Sequence, residues 1–316
     1  MDKNLIVKIS NGFGNQMFLY AAAYAFSKKL GYNLLIDDET GVIYDFKKWG
    51  IRKRINWKPN YELSIFNLQS EIAGKEFKFL TSMSQIKRKY LKFFDMFHLK
   101  NKFLFEKLDK NKKTFFSDHY SQQKYNNTIF LEGYFESEKY FKDYRDDLLN
   151  EFSLKSDQNL DNNIYKNIID TSNVVSIAFR TRRYTETDRD HLNKDMQLKT
   201  SDFESSAAQY IYRAIEFFKS KIDNPKFLIW SDDFDYLDKY FDPNLFTYVK
   251  NDNDNKIYLD FFLMRQCKYF IVGPTTFHWW AAWLCDHDNK IIVCPKNKDL
   301  NVSCNVDFWP ESWIKI

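Results

Sequence analysis

The chain has 316 residues, 44% of them apolar, which is too long for one small core and too apolar for a disordered chain. Its 47 Lys and Arg against 43 Asp and Glu leave a formal net charge of +4, a balance that argues against general nucleic-acid binding. The 31 Phe and 20 Tyr suit a protein that packs sugar faces on rings, and suit a compositionally biased genome equally well.

The opening MDKNLIVKIS carries an apolar run too short for a signal peptide. No run of about 18 apolar residues occurs, so no transmembrane helix is expected and the reading is cytoplasmic. A strand is expected over 5–9, then the turn Asn11-Gly12-Phe13-Gly14-Asn15-Gln16, an apolar helix over 17–30 stopped by Gly31, and a strand over 34–36. This is a βαβ opening with a tight glycine turn. The third glycine position of a dinucleotide fingerprint is Met17, so the fingerprint is incomplete. A helix N-terminus here could offer its N–H groups to an anionic or sugar ligand. A turn that needs glycine only for its backbone angles reads equally well.

Residues 40–125 are irregular, aromatic and basic. Within them, 85–100 mixes cations with large apolar residues at helical spacing. The favoured reading is an amphipathic helix packed on its own domain with solvated lysines. The other is a membrane-surface helix making a peripheral contact with the inner face of a bacterial membrane. His98 and His119 show no partner pattern. A strand is expected over 128–131, a turn over 132–135, a helix over 137–149, and a polar inter-domain linker over 153–172. The expected domains are therefore 1–160 and 161–316.

The second half alternates strand and helix, which predicts a parallel sheet. A strand over 174–180 ends in Arg180, Arg182, Arg183 and Tyr184, followed by the acids Glu186, Asp188 and Asp190, with Asp195 beyond. A helix over 203–221 follows, then a strand over 227–230 ending in Ser231-Asp232-Asp233 and a helix over 258–267. A strand over 269–272 then runs through Gly273-Pro274-Thr275-Thr276 into a helix over 277–285 that begins with Phe277, and the last strand covers 291–294. Ligands of open α/β sheets bind beyond the carboxyl ends of strands. Arginine forks suit a diphosphate, Thr275 and Thr276 at a helix start suit a phosphate, and a carboxylate suits ribose hydroxyls or the donor edge of a base. Capping alone also accounts for the threonines. The cysteines Cys267, Cys285, Cys294 and Cys304 form no CxxC pair and no zinc spacing; three of them sit in apolar segments and are expected as buried free thiols, a usage compatible with a reducing compartment.

Five segments together resemble the bacterial α-1,2-fucosyltransferases. Residues 11–21, NGFGNQMFLYA, are similar to the family's GG-x-GNQMFQYA opening, and 131–141, LEGYFESEKYF, to its GY-W/F-QSEKYF segment. Ser231-Asp232-Asp233 matches its SDD. Asp260 through Lys268 resembles D-x-x-LM-x-x-CK, and 275–284, TTFHWWAAWL, resembles the SSFSWWGAWL that follows an asparagine; Pro295-Lys296 and Trp313 also fit. The resemblance implies an α/β, GT-B-like architecture: two Rossmann-like lobes with the active site in the cleft between them, the N-terminal lobe on the acceptor side and the C-terminal lobe binding the nucleotide sugar. It implies an inverting enzyme with no metal or other cofactor. The implied partners are a GDP-sugar donor, usually GDP-fucose, and a surface-glycan or lipid-linked oligosaccharide acceptor offering a galactose-type hydroxyl.

The chain departs from the family where HxRRGDY is expected and Ala178-Phe179-Arg180-Thr181-Arg182-Arg183-Tyr184 stands. Arg180 and Tyr184 are retained. The histidine, the second arginine and the aspartate are not, and Pro274 replaces an asparagine before Thr275. By the resemblance Arg180 holds the β-phosphate, and an acid eight residues on, Asp188, takes the acceptor proton, with Glu186 and Asp190 as rivals. The remaining binding candidates are Gly12, Gly14, Asn15, Gln16, Arg182, Tyr184, Asp232, Thr275, Thr276 and Phe277. Three alternatives stay open: another nucleotide sugar on the same fold, a degenerate glycan-binding relative without catalysis, and a metal-dependent transferase using Asp188-Arg189-Asp190 as a DxD.

Overall fold

The computed structural model describes residues 2–41, 60–97, 101–118, Tyr120, 123–155, 163–185, 193–235, 237–251, 256–296, Leu300, Ser303 and 305–316. The described residues up to Ser156, with Ser303–Pro310, form one compact unit. Those of Asp157–Val302, with Glu311–Ile316, form the other.

The first unit is built on a parallel sheet. Strand β1 (Asn4–Lys8) runs into helix α1 (Phe13–Leu30), which returns to β2 (Asn33–Asp37); β3 (Glu71–Ile72), β4 (Phe103–Phe105) and β5 (Thr128–Glu132) complete the order β3-β2-β1-β5-β4. Helix α1 starts at Phe13, four residues before the position its apolar run suggests, so Gly14 and Gln16 belong to its first turn. It is buried from Phe13 almost to its end because apolar residues occupy every face. Gly31 stops it in the left-handed region at φ 69°, its N–H bonding the Ser27 carbonyl.

Helix α2 (Ser82–Asp95) faces opposite to expectation. Its polar side turns inward. Arg88, buried, pairs with Glu132, and Lys92 reaches the same carboxylate at 2.7 Å. The buried Asp95 accepts from the Lys102 and Phe103 N–H groups. Met83, Ile86, Tyr90 and Phe93 face out. Burying Arg88 is tolerable because a carboxylate meets it, and that partner fixes which face turns in. The helix expected over 137–149 is instead two 3-10 turns followed by the short α3 (Arg145–Glu151), with Tyr140 and Phe141 buried.

The second unit opens with α4 (Ile164–Thr171), inside the stretch expected as linker. Asn163 caps it by accepting from the Tyr165 and Lys166 N–H groups, which is how a polar residue starts a helix rather than a loop. Next come β6 (Val174–Phe179), α5 (Lys194–Lys219), β7 (Lys226–Ser231), β8 (Phe246–Tyr248), α6 (Lys256–Gln266), β9 (Tyr269–Ile271), α7 (Thr276–Leu284), β10 (Ile291–Cys294) and β11 (Ile314–Lys315). The sheet is parallel throughout, in the order β11-β10-β9-β6-β7-β8. β6 is buried along its whole length, as a central strand covered on both faces must be. On one face Val175, Ile177 and Phe179 join Phe203, Ala207, Ile211 and Phe218 of α5 in a continuous core. The rings of Trp279, Trp280, Trp283 and Trp313 pack together, tying the chain's last residues to α7. Cys267, Cys285 and Cys294 are buried free thiols, as expected; Cys304 lies outside the described residues.

Candidate active site

The strand order of the second unit reverses between β6 and β9: β7 and β8 are added on one side of β6, β9 and the later strands on the other. Such a reversal leaves a crevice at the carboxyl ends of the two strands, because the segments leaving them diverge to opposite faces. Arg180, half-buried, directly follows β6. Thr275 and Thr276 follow β9, and Asp232 and Asp233 follow β7 on the far side of β6. The three strand ends singled out in the sequence are thus neighbours at one edge of one sheet.

Each end has its own fixing. Thr275 is the N-cap of α7, its hydroxyl accepting from the His278 N–H at 3.1 Å. That hydroxyl keeps its own proton to donate. The first turn of α7 contains no acid, so the positive end of the helix dipole is uncompensated there by a carboxylate of its own. Phe277, half-buried, sets its ring edge-on to Phe261 at 5.4 Å. Asp232 Oδ1 accepts from both the backbone N–H and the hydroxyl of the buried Thr181, at 2.9 and 3.0 Å. It thereby clamps the exit of β7 to the exit of β6.

The three arginines do not form one cluster. Arg182 pairs with the buried Asp233, while its own N–H donates to Glu204 Oε1 at 2.9 Å. Its φ is 49°, in the left-handed region that favours glycine, and glycine is what the related motif carries at this position. Arg183 lies over the rings of Phe203 and Tyr184, at 5.3 and 5.7 Å from their centroids. Tyr184 is partly exposed and edge-on to Phe203 at 6.0 Å. Glu186, Asp188 and Asp190 lie outside the described residues.

Sequence reasoning missed His278. It stands where the related motif has serine, one residue outside the candidates chosen. The side chain is fully buried on the α7 side of β6. The Gly273 N–H donates to its Nδ1 at 3.3 Å, so the ring proton sits on Nε2, 2.8 Å from Ser176 Oγ. Burial holds the ring neutral and pushes its pKa down to about 3. The imidazole therefore pins the turn after β9 to the middle of β6. The two backbones approach so closely that a Cβ on Gly273 would lie 2.1 Å from the Ala178 carbonyl oxygen.

Gly12, Gly14, Asn15 and Gln16 belong to the first unit, at the carboxyl end of β1. Gln16 is fully buried there. Its amide donates to the carbonyls of Asn11 and Asn60 at 2.9 and 2.6 Å, and its oxygen accepts from the Glu62 N–H at 2.9 Å. Glu62, so held, takes the Phe13 N–H on its carboxylate, and burial raises that carboxyl above its ordinary range. The N-terminus of α1 thus meets an acid of the chain itself, and Gln16 is a tie for the 60–62 segment. Gly12 has open space around it and Asn15 is half-buried.

The chain is 25% identical to an α-1,2-colitosyltransferase of Escherichia coli, over 99% of this chain and 98% of that one. It is 28% identical to the O-antigen biosynthesis glycosyltransferase WbnK of Escherichia coli, over 91% and 92% respectively. Among solved structures it matches the fucosyltransferase NodZ from Bradyrhizobium with a TM-score of 0.50 and 12% identity, over 89% of this chain and 92% of that one, a likeness of fold. The family described as Glycosyl transferase family 11 matches residues 70–316, spanning the first unit from β3 onward and all described elements of the second. With two parallel α/β units, and with the retained segments at their strand ends, the chain belongs to glycosyl transferase family 11.

Proposed function

We propose that this glycosyltransferase inverts the anomeric carbon of a GDP-linked sugar, L-fucose from GDP-fucose, and joins it in α-1,2 linkage to a galactose-type hydroxyl of a bacterial surface glycan. The observation that carries the reading is the reversal of strand order at β6 and β9, with Arg180 on one side and the Thr275-capped start of α7 on the other. A cation and a helix N-terminus there suit the diphosphate of a nucleotide sugar. The names of the two bacterial relatives support the α-1,2 linkage and the O-antigen acceptor.

In this reading the bond between the anomeric carbon and the β-phosphate oxygen breaks as the acceptor oxygen attacks from the opposite face. Negative charge builds on the leaving diphosphate, and Arg180 with the first-turn N–H groups of α7 stabilises it. The acceptor proton passes to a carboxylate, assigned to Asp188 with Glu186 and Asp190 as its rivals. Asp232 and Thr181 hold the β6 and β7 exits together, and Arg182 shapes the loop through Asp233. Tyr184 and Phe277 contribute ring surface, and Gly12, Gly14 and Asn15 belong to the acceptor side. No metal enters this reading.

A second donor sugar has specific support. The relative that matches 99% of this chain is named for colitosyl transfer, and Ala178 stands where the fucosyltransferase motif has histidine. A thermal-shift panel of GDP, UDP, ADP, TDP and CMP, followed by GDP-sugars, tests both levels. Saturable stabilisation by GDP alone is expected. Stabilisation by another nucleotide and not by GDP would overturn the guanosine donor, and transfer from a GDP-sugar other than GDP-fucose would move the assignment to the second sugar.

A further inference from the structure

Helix α2 presents to the outside what amphipathic helices normally bury. Met83, Ile86, Tyr90, Phe93 and Phe97 follow one another at alternating spacings of three and four residues, and they are 57 to 76% exposed. That spacing, on average about 3.5 residues per step and so close to a helical turn, keeps the four from Met83 to Phe93 on one stripe, with Phe97 just past the helix end. Neighbouring rings brace each other, Phe93 against Phe97 at 5.5 Å and Phe93 against Phe94 at 5.8 Å. The stripe is not a displaced core face. The opposite side of the helix is held by Arg88 on Glu132 and by Asp95 on the backbone of Lys102 and Phe103, so rolling the helix over would take Arg88 from Glu132 and Asp95 from those two N–H groups.

We propose that this stripe docks on an anionic lipid surface, with α2 lying in the plane of the headgroups. Charge complementarity selects this occupant. Lys87 follows Ile86 and Lys89 precedes Tyr90, so the two lysines flank the stripe on opposite sides, and both are exposed. An apolar face bordered by lysines is the pattern of a helix seated at a bilayer interface, where the stems run along the apolar boundary and the ammonium groups meet anionic headgroups. Tyr90 adds a ring with a polar tip, which suits the same depth. A second copy of the chain fits less well. In an antiparallel two-helix seam Lys87 and Lys89 occupy the flanking positions, which face their own counterparts, so a partner copy would set lysine against lysine. The stripe also spans two heptads, fewer than the roughly three to four that sustain a coiled coil.

The test is cosedimentation of the full chain with vesicles of phosphatidylglycerol and phosphatidylcholine, and with phosphatidylcholine alone. Expected is saturable binding to the anionic vesicles, at least tenfold weaker on neutral ones and weakened by salt. Ile86→Ser combined with Phe93→Ser, and separately Lys87→Glu combined with Lys89→Glu, should each reduce binding at least tenfold. All four side chains are exposed, so the melting temperature and its shift by GDP serve as controls for folding. Absence of binding by the wild type to anionic vesicles would overturn the proposal. So would a dimer in light scattering that Ile86→Ser with Phe93→Ser splits while vesicle binding is unchanged.

Discussion

Arg180 is the residue whose place could be read from the chain alone, because it follows a strand that is apolar except for Ser176 and stands at the retained first arginine of the related motif. The roles of its neighbours could not be read that way. Arg182 and Arg183 are adjacent in sequence but turn apart, one to Asp233 and the other onto Phe203. Those partners lie 51 and 20 residues away, and no local pattern announces them. His278 was less legible still, since its meaning depends on Ser176, 102 residues earlier. Its titration gives a measurable consequence. The folded-state pKa of about 3 lies below the ordinary 6.5, so unfolding takes up a proton at pH values between the two. The neutral imidazole's contribution is complete above pH 6.5 and is lost as pH falls toward 3. Urea denaturation at pH 7 and pH 5 should therefore show the stability gap between wild type and His278→Asn narrowing by on the order of 2 kcal/mol at the lower pH. A gap that stays constant would mean the ring is not held neutral.

Among the elements, the strands were the most legible, because short apolar runs bounded by Gly, Pro, Asn and Asp have few other solutions. β10 was placed at its observed bounds, Ile291–Cys294. β8 and β11, three and two residues long, were not foreseen, since strands so short carry no period. Helix α2 marks a sharper limit. Its amphipathic period could be read, but which face turns inward depends on Glu132, 40 residues beyond Lys92. α4 hid in a polar stretch because its N-cap, Asn163, is also a loop residue. The junction of β9 and α7 carries an element-scale prediction. Gly273→Ala places a Cβ against the Ala178 carbonyl, and either β6 or the turn must yield. The variant should lose about 1–3 kcal/mol of stability in urea denaturation, the usual cost of overpacking. Unchanged stability would show that the two backbones are not locked together.

At the scale of the molecule, the alternation of strand and helix gave the second sheet as parallel, while of the first only the βαβ opening was legible; the second has the 3-2-1-4-5-6 order of a dinucleotide-binding fold when its strands are renumbered from β6. The return of Ser303–Pro310 to the first unit carried no signal in composition. It is secured by single contacts between distant residues, such as Lys139 with Asp307 at 2.8 Å and Asn305 with Glu106 at 3.2 Å. In the proposed reaction, the edge where β6, β7 and β9 end holds the donor, and Arg180 there carries the charge of the departing diphosphate. The direct measurement is the initial rate of GDP release from the GDP-sugar that the wild type uses, in the presence of a galactoside acceptor, for wild type and Arg180→Ala. A variant that folds and loses about 10²–10³-fold in rate is the predicted result. A folded Arg180→Ala that transfers at close to the wild-type rate would contradict it.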